Sequence, residues 1–207
     1  MNVRYMIKSA MLALLSLQVF AVISMEFSMK KHILFVTSNK GKLQEVQMYL
    51  SQLDPAIVLE QASVDLPEYQ GLDIREIAIA KAQAAWAQLK KPLLIDDGGI
   101  YITRYNQFPG PLIKWIYKGI GLDGFWLLAK DDPRGYFLSC LVYCYGPDKY
   151  EVFEGICHGT YIAPTGTITY PDLPFTEIFV GMNTNWARIS SVFAEVARTI
   201  VEGPKGV

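Results

Sequence analysis

The chain has 207 residues, of which 51% are hydrophobic, 13% aromatic and 19% charged, and its formal net charge is −1. That is enough apolar material for one substantial core, and the charge balance lacks the basic footprint that a polymeric DNA or RNA partner demands. Three cysteines (Cys140, Cys144, Cys157) and two histidines (His32, His158) show no zinc-ligand spacing and fit reduced thiols in a reducing compartment.

Residues 1–28 stand apart from the rest. Arg4 and Lys8 precede a mostly apolar stretch from Ala10 to Ile23, and Val22-Ile23-Ser24 offers a cleavage site, which is the form of a signal peptide. The stretch is short for a membrane span and carries Ser16 and Gln18. The other reading is a start assigned too early, with Met25 or Met29 as first residue; Met29-Lys30-Lys31 before a strand is a natural opening for a cytosolic α/β enzyme. The expected division is an extension over 1–28 and one domain over 29–207. That domain is expected in the cytoplasm with no membrane contact, or exported if residues 1–24 act as a signal.

The first strand is expected at 32–37, where the apolar run Ile33-Leu34-Phe35-Val36 meets Thr37-Ser38-Asn39-Lys40-Gly41-Lys42. A helix over 40–52 follows, with Leu43, Val46 and Leu50 on one face. A strand, a polar turn and a helix start gather backbone N–H groups, helix-dipole charge and the Lys42 ammonium at one point, which suits a phosphate. It is not the P-loop pattern, and an ordinary turn capped by Ser38 or Asn39 would read the same way.

A strand at 56–61 and a loop around Leu66-Pro67-Glu68 lead into a helix over 73–90. Its apolar face carries Ile74, Ile77, Ala78, Ala85 and Leu89, with Lys81 in the middle, so that lysine either snorkels outward or meets an anion in a cleft. Glu68 is an acid in a loop, by itself a solvated group. The strand Leu93-Leu94-Ile95 is expected to end in Asp96-Asp97-Gly98-Gly99. Carboxylates at a strand's C-terminal end lie where open α/β sheets build sites, and two acids in a turn can hold Mg²⁺, but Asp-Gly is also a hairpin signal.

Pro109-Gly110-Pro111 opens a helical segment at 111–118 with Lys114 in its first turn, where either a nearby anion or plain solvation accounts for it. A second helical segment at 123–130 and two β-rich runs, 135–145 and 149–163, complete the pattern. Strands alternating with helices, then a β-rich half, give a mixed α/β fold with one long sheet.

Taken in order, these strings resemble the inosine triphosphate pyrophosphatase family: Ser38-Asn39-Lys40-Gly41-Lys42 with Glu45, Asp65-Leu66-Pro67-Glu68-Tyr69-Gln70-Gly71, Glu76-Ile77 with Lys81, Asp96-Asp97, and Pro109-Gly110-Pro111-Leu112-Ile113-Lys114-Trp115. The similarity spans about 31–180. It implies an elongated mixed α/β sheet with flanking helices and two lobes around a central cleft, assembled as a homodimer. It also implies hydrolysis of non-standard purine nucleoside triphosphates (ITP, dITP, XTP) to the monophosphate and pyrophosphate.

By the same resemblance, Thr37, Ser38, Asn39 and Lys42 cradle the triphosphate, with Lys81 and Lys114 on phosphate oxygens. Glu68 and Asp97 hold Mg²⁺ with Asp96 in support, and Asp97 orients or deprotonates the attacking water. Phosphoryl chemistry needs such positioned cations. Gly98 adjoins the nucleotide but lacks the hydroxyl the family has there. Phe175 keeps the base-stacking aromatic, whereas Thr176 stands in place of an Asp. Phe193-Ala194-Glu195-Val196 matches the next landmark, but Ala197-Arg198-Thr199-Ile200 follows without the Ser-His-Arg triplet that reads the purine. These departures leave a second reading, a nucleotide-binding relic with little turnover.

Overall fold

The first β-α-β unit comprises β1 (Lys31–Val36), α1 (Lys40–Leu53) and β2 (Ile57–Ala62), with the two strands parallel in a computed structural model that describes residues 30–106, 108–181 and 183–204. The segment 1–28 therefore lies outside the described residues. The Asn39 carboxamide caps α1, accepting a hydrogen bond from the Lys42 N–H at 3.0 Å. The polar turn thus ends the strand and starts the helix. α2 (Ile74–Leu89), capped by Asp73, returns the chain to β3 (Leu93–Ile102), which lies parallel to β1 on its other side.

Right-handed crossovers taken in opposite directions along the sheet, from β1 to β2 and then from β2 past β1 to β3, must put their helices on opposite faces. The packing agrees. Val46 and Leu50 of α1 bury against Ile33, Phe35, Leu94 and Leu141, whereas Ile74, Ala78, Ala82 and Ala85 of α2 bury against Val36, Leu93, Ile95 and Val142.

The second half adds β4 (Pro109–Gly110), α3 (Ile113–Ala129), the long hairpin β5 (Arg134–Gly146) and β6 (Lys149–Tyr161), a 3₁₀ turn at Pro174–Glu177, β7 (Phe179–Gly181) and α4 (Asn183–Glu202). The sheet order is β2-β1-β3-β5-β6-β7, with β4 on a stretch of β3. A separate core of Ile100, Ile102, Phe125, Tyr161, Phe175 and Ile178 forms where α3 meets this half. The result is the mixed α/β sheet with flanking helices, divided into two lobes. Among the described residues, no helix is long and apolar enough to cross a membrane.

One expectation of the fold is corrected. β3 does not end at Ile95: it runs through Asp96-Asp97-Gly98-Gly99 to Ile102, because β5 pairs with it in unbroken register from Leu93↔Cys144 to Ile102↔Gly135. Neither a strand end nor a hairpin turn is present there. Gly99 answers to close packing instead, since a Cβ at that position would stand 2.8 Å from the Tyr101 ring and 3.0 Å from the Gly110 backbone. The helical segments expected at 111–118 and 123–130 are both present, as the two stretches of α3 that meet at a kink at Gly121, whose φ of 64° suits only a residue without a side chain. The chain after β7, which carried no secondary-structure expectation, forms α4; Phe193 there stacks on Tyr49 at 4.7 Å and 8°. Lys31 donates to the Ile200 carbonyl at 2.9 Å and to the Val201 carbonyl, placing a cation at the helix C-terminus.

Candidate active site

One edge of β3 is shared by two neighbours. β1 reaches it at Leu93 and Leu94, and β4 takes over at Ile100 and Tyr101. Among the described residues no strand occupies the edge between them, so the sheet has a gap beside Asp96, Asp97 and Gly98. Thr37, Ser38 and Asn39, leaving β1, stand at the same gap, and it opens into a cavity of about 890 Å³.

Successive residues of a strand face opposite sides. Leu94 belongs to the α1 side and Ile95 to the α2 side, so Asp96 projects toward α1 and Asp97 toward α2. Each finds a lysine there. Lys42 Nζ lies 3.0 Å from Asp96 Oδ2, and Lys81 Nζ donates to Asp97 Oδ2. The adjacent acids therefore do not form a chelating pair in a turn; they diverge and are joined only through the gap. Asp97 Oδ1 also accepts from the Gly98 N–H at 2.9 Å, which fixes the carboxylate's orientation.

Lys81 does not snorkel. It lies on the core-facing side of α2 because a carboxylate waits in the cavity. The third acid, Glu68, pairs with Lys114 at 2.6 Å near the surface, and both line the same cavity. Lys114 and Lys118 also stand 5.4 and 5.0 Å from the centre of the exposed Trp115 ring.

The electrostatics follow from this pairing. Burial depresses the Lys42 pKa, but the charges of Asp96 and Asp97, the Asp96 hydrogen bond and Glu45 together hold it above its ordinary value. Glu45, one turn along α1, is pushed up by desolvation and by the Asp96 charge, against the opposing pull of Lys42. Glu68 is held below the usual carboxylate range, first by its hydrogen bond from Lys114 and further by the charges of Lys114, Lys81 and Lys118.

All the residues singled out in the sequence line this one cavity. Thr37, Ser38, Asn39 and Lys42 come from the β1–α1 turn, and Glu68 and Lys81 from α2 and its approach. Asp96, Asp97 and Gly98 come from β3, with Lys114 and Phe175 from the second lobe. Among the described residues, no group of three or more His, Cys, Asp or Glu could hold a metal. Two hard oxygen donors facing one cavity nevertheless fit Mg²⁺, which takes one or two carboxylates and completes its shell with water and phosphate oxygens.

The far end of the cavity is more closed. Phe175 is 7% exposed, with Tyr117 and Phe125 rings packed at 5.6 and 5.1 Å, so little of its face remains for stacking. The Thr176 hydroxyl donates to the Leu173 carbonyl at 2.7 Å, and Glu177 Oε1 accepts from the Thr169 and Tyr170 N–H groups. Two contributors escaped the sequence reading. Asp172 accepts at its carbonyl from the Asn39 carboxamide at 2.8 Å, tying the β1–α1 turn to the second lobe, and Ser139 bonds Asp96 from β5. Both contacts join residues distant in sequence, and no local pattern announces them.

A mixed α/β sheet opened by a cleft lined with three carboxylate–lysine pairs is an architecture able to receive an anion and a cation together. The model of the Ham1 family matches residues 33–184, and the chain belongs to that family. It is 34% identical over 160 residues to the inosine triphosphate pyrophosphatase of Yarrowia lipolytica, covering 73% of this chain and 84% of that protein. It is also 36% identical over 130 residues to the dITP/XTP pyrophosphatase of Korarchaeum cryptofilum, covering 62% and 68%. Among solved structures, a HAM1 protein from Coxiella burnetii superposes with a TM-score of 0.64 at 18% identity, covering 83% of this chain and 98% of that one, a likeness of fold.

Proposed function

We propose that this chain is a hydrolase that cleaves non-standard purine nucleoside triphosphates, ITP, dITP and XTP, to the monophosphate and pyrophosphate with Mg²⁺. The observation that carries the reading is the single cavity in which three carboxylates each hold a lysine: Asp96 with Lys42, Asp97 with Lys81, and Glu68 with Lys114. A triphosphate needs cations along its length, and a hard metal needs carboxylates. This arrangement supplies both by an exchange of partners.

In that reading Thr37, Ser38 and Asn39 receive the phosphates at the N-terminus of α1, where backbone N–H groups and the helix dipole favour an anion. Lys81 and Lys114 transfer their hydrogen bonds to phosphate oxygens, and Lys42, still anchored on Asp96, offers its remaining donor. Glu68 and Asp97 would hold Mg²⁺, which when bound neutralises charge on the phosphates. Asp97 orients a water toward the α-phosphorus and accepts its proton as the new P–O bond forms; the α–β anhydride bond breaks and pyrophosphate leaves. Family membership, and the activities for which the relatives at 34% and 36% identity are named, support this reading.

A second reading, nucleotide binding without useful turnover, is favoured by one observation: the covered Phe175 ring and the already engaged Thr176 and Glu177 leave few groups to read a base. Pyrophosphate release from ITP, dITP, XTP and the four common triphosphates separates the two. Mg²⁺-dependent release from ITP, dITP and XTP supports the hydrolase; binding of these nucleotides with no release supports the alternative.

A further inference from the structure

Ser139 lies on β5 directly opposite Gly98, so its side chain shares the face of the sheet that carries Asp96. Its hydroxyl donates to Asp96 Oδ1 at 2.9 Å. The other oxygen, Oδ2, receives Lys42 Nζ at 3.0 Å, and the Asp96 backbone carbonyl lies 3.4 Å from the same ammonium. Both carboxylate oxygens are thus engaged. The Asp96 side chain is only 12% exposed, so water has little room to replace a lost partner. Gly98 contributes no side chain to this face, and nothing else in β3 fixes the carboxylate from that side.

We infer that Ser139 is a positioning residue: through Asp96 it fixes the Lys42 ammonium toward the triphosphate site. The inference rests on the function proposed above and assigns Asp96 to lysine anchoring rather than to the metal, in keeping with its projection away from Asp97. Lys42 is held at both ends, its backbone N–H by the Asn39 carboxamide and its ammonium by Asp96. A lysine side chain loses much rotamer freedom when it is immobilised, and ordering it in advance removes that cost from binding. An ammonium carries three donors, so two contacts to Asp96 leave one for a phosphate oxygen. Without the Ser139 hydroxyl, Asp96 Oδ1 has no partner, the carboxylate turns, and Lys42 follows it.

The test is calorimetric titration of the full chain, and of its Ser139→Ala and Ser139→Thr variants, with a non-hydrolysable purine triphosphate, alongside thermal melts and steady-state kinetics. Ser139→Ala is expected to weaken binding roughly 3- to 10-fold, the range of one hydrogen bond. Ser139→Thr, which keeps the hydroxyl, should restore it. In the kinetic assay the change should fall on KM, with kcat kept. Unchanged affinity in Ser139→Ala, weakening that Ser139→Thr does not restore, or a fall in kcat with KM kept would each overturn the positioning role while leaving the proposed function standing. Failure of the unsubstituted chain to bind any triphosphate would overturn both.

Discussion

Lys81 and Asp97 meet across the layer between α2 and β3, the ammonium bonded to one carboxylate oxygen while the Gly98 N–H holds the other. The acid assigned to activate water therefore carries its counter-ion with it. With the Lys42–Asp96 and Lys114–Glu68 pairs, each lysine lining the cleft is matched to a carboxylate before any ligand enters. A metal and triphosphate arriving there would re-pair charges of which two pairs, Lys42–Asp96 and Lys81–Asp97, are already largely out of water.

Asp97→Asn keeps the shape and one oxygen of the side chain but removes its charge and basicity. The variant should melt near the unsubstituted chain and lose most Mg²⁺-dependent pyrophosphate release. Near-normal turnover would take Asp97 out of the chemistry.

The lysines should separate by exposure. Lys42 and Lys81 are each 27% exposed, and replacement of either by Ala should weaken triphosphate binding by about 1.5–3 kcal/mol. Lys114 is 52% exposed, so solvent and salt screen it and Lys114→Ala should cost at most about 1 kcal/mol. Titrations at low and high salt check the order; equal losses for all three would contradict it.

Base selectivity should be weak. Hydrogen-bonding groups that distinguish one purine from another must be present and free, and here the Thr176 hydroxyl and a Glu177 oxygen are already bonded within the protein. The ratio of kcat/KM for ITP over ATP should be small. A large ratio would locate the discrimination elsewhere in the chain.

Alkaline pH should destabilise the fold. Burial pushes the Cys140 thiol from 9.0 up to about 12 and the Tyr101 phenol from 10.0 up to about 12. Both groups stay protonated in the native state at pH values where the unfolded chain releases the proton. Their contribution is complete below pH 9.0 and drains away toward about pH 12. Urea unfolding across that window should show a falling midpoint, and a flat profile would refute the coupling.

The core of the second lobe depends on Phe125, fully buried between Tyr161 and Phe175. Phe125→Ala should cost about 3–5 kcal/mol in urea unfolding. A cost below about 1 kcal/mol would mean that α3 repacks freely.

Much of this molecule was legible in its sequence. The β1–α1 turn, the α2 face and the Pro109-Gly110-Pro111 segment announced themselves through local periodicity and turn chemistry, and the residues drawn from them do line one cavity. β3 was misread because Asp-Asp-Gly-Gly has low strand propensity when read alone. The ladder to β5 is made with residues roughly 40 further along the chain, and the lysines that pair with its acids lie 54 and 16 residues before them, outside a strand-length window. The same distance hid Ser139. α4 carries a signal of its own, since Val192, Phe193, Val196 and Ile200 recur at helical spacing.

The opposed facing of Asp96 and Asp97 also bears on which changes this stretch can survive over evolutionary time. Substitution alters one slot and leaves the others in place. Loss or gain of a single residue between Leu93 and Asp96 would instead turn one side of the strand over, because side chains alternate with a period of two. Either the apolar residues would face the wrong helix, or each carboxylate would be presented to the other's lysine. Homologues aligned across Leu93–Gly99 should therefore vary in letters and never in length.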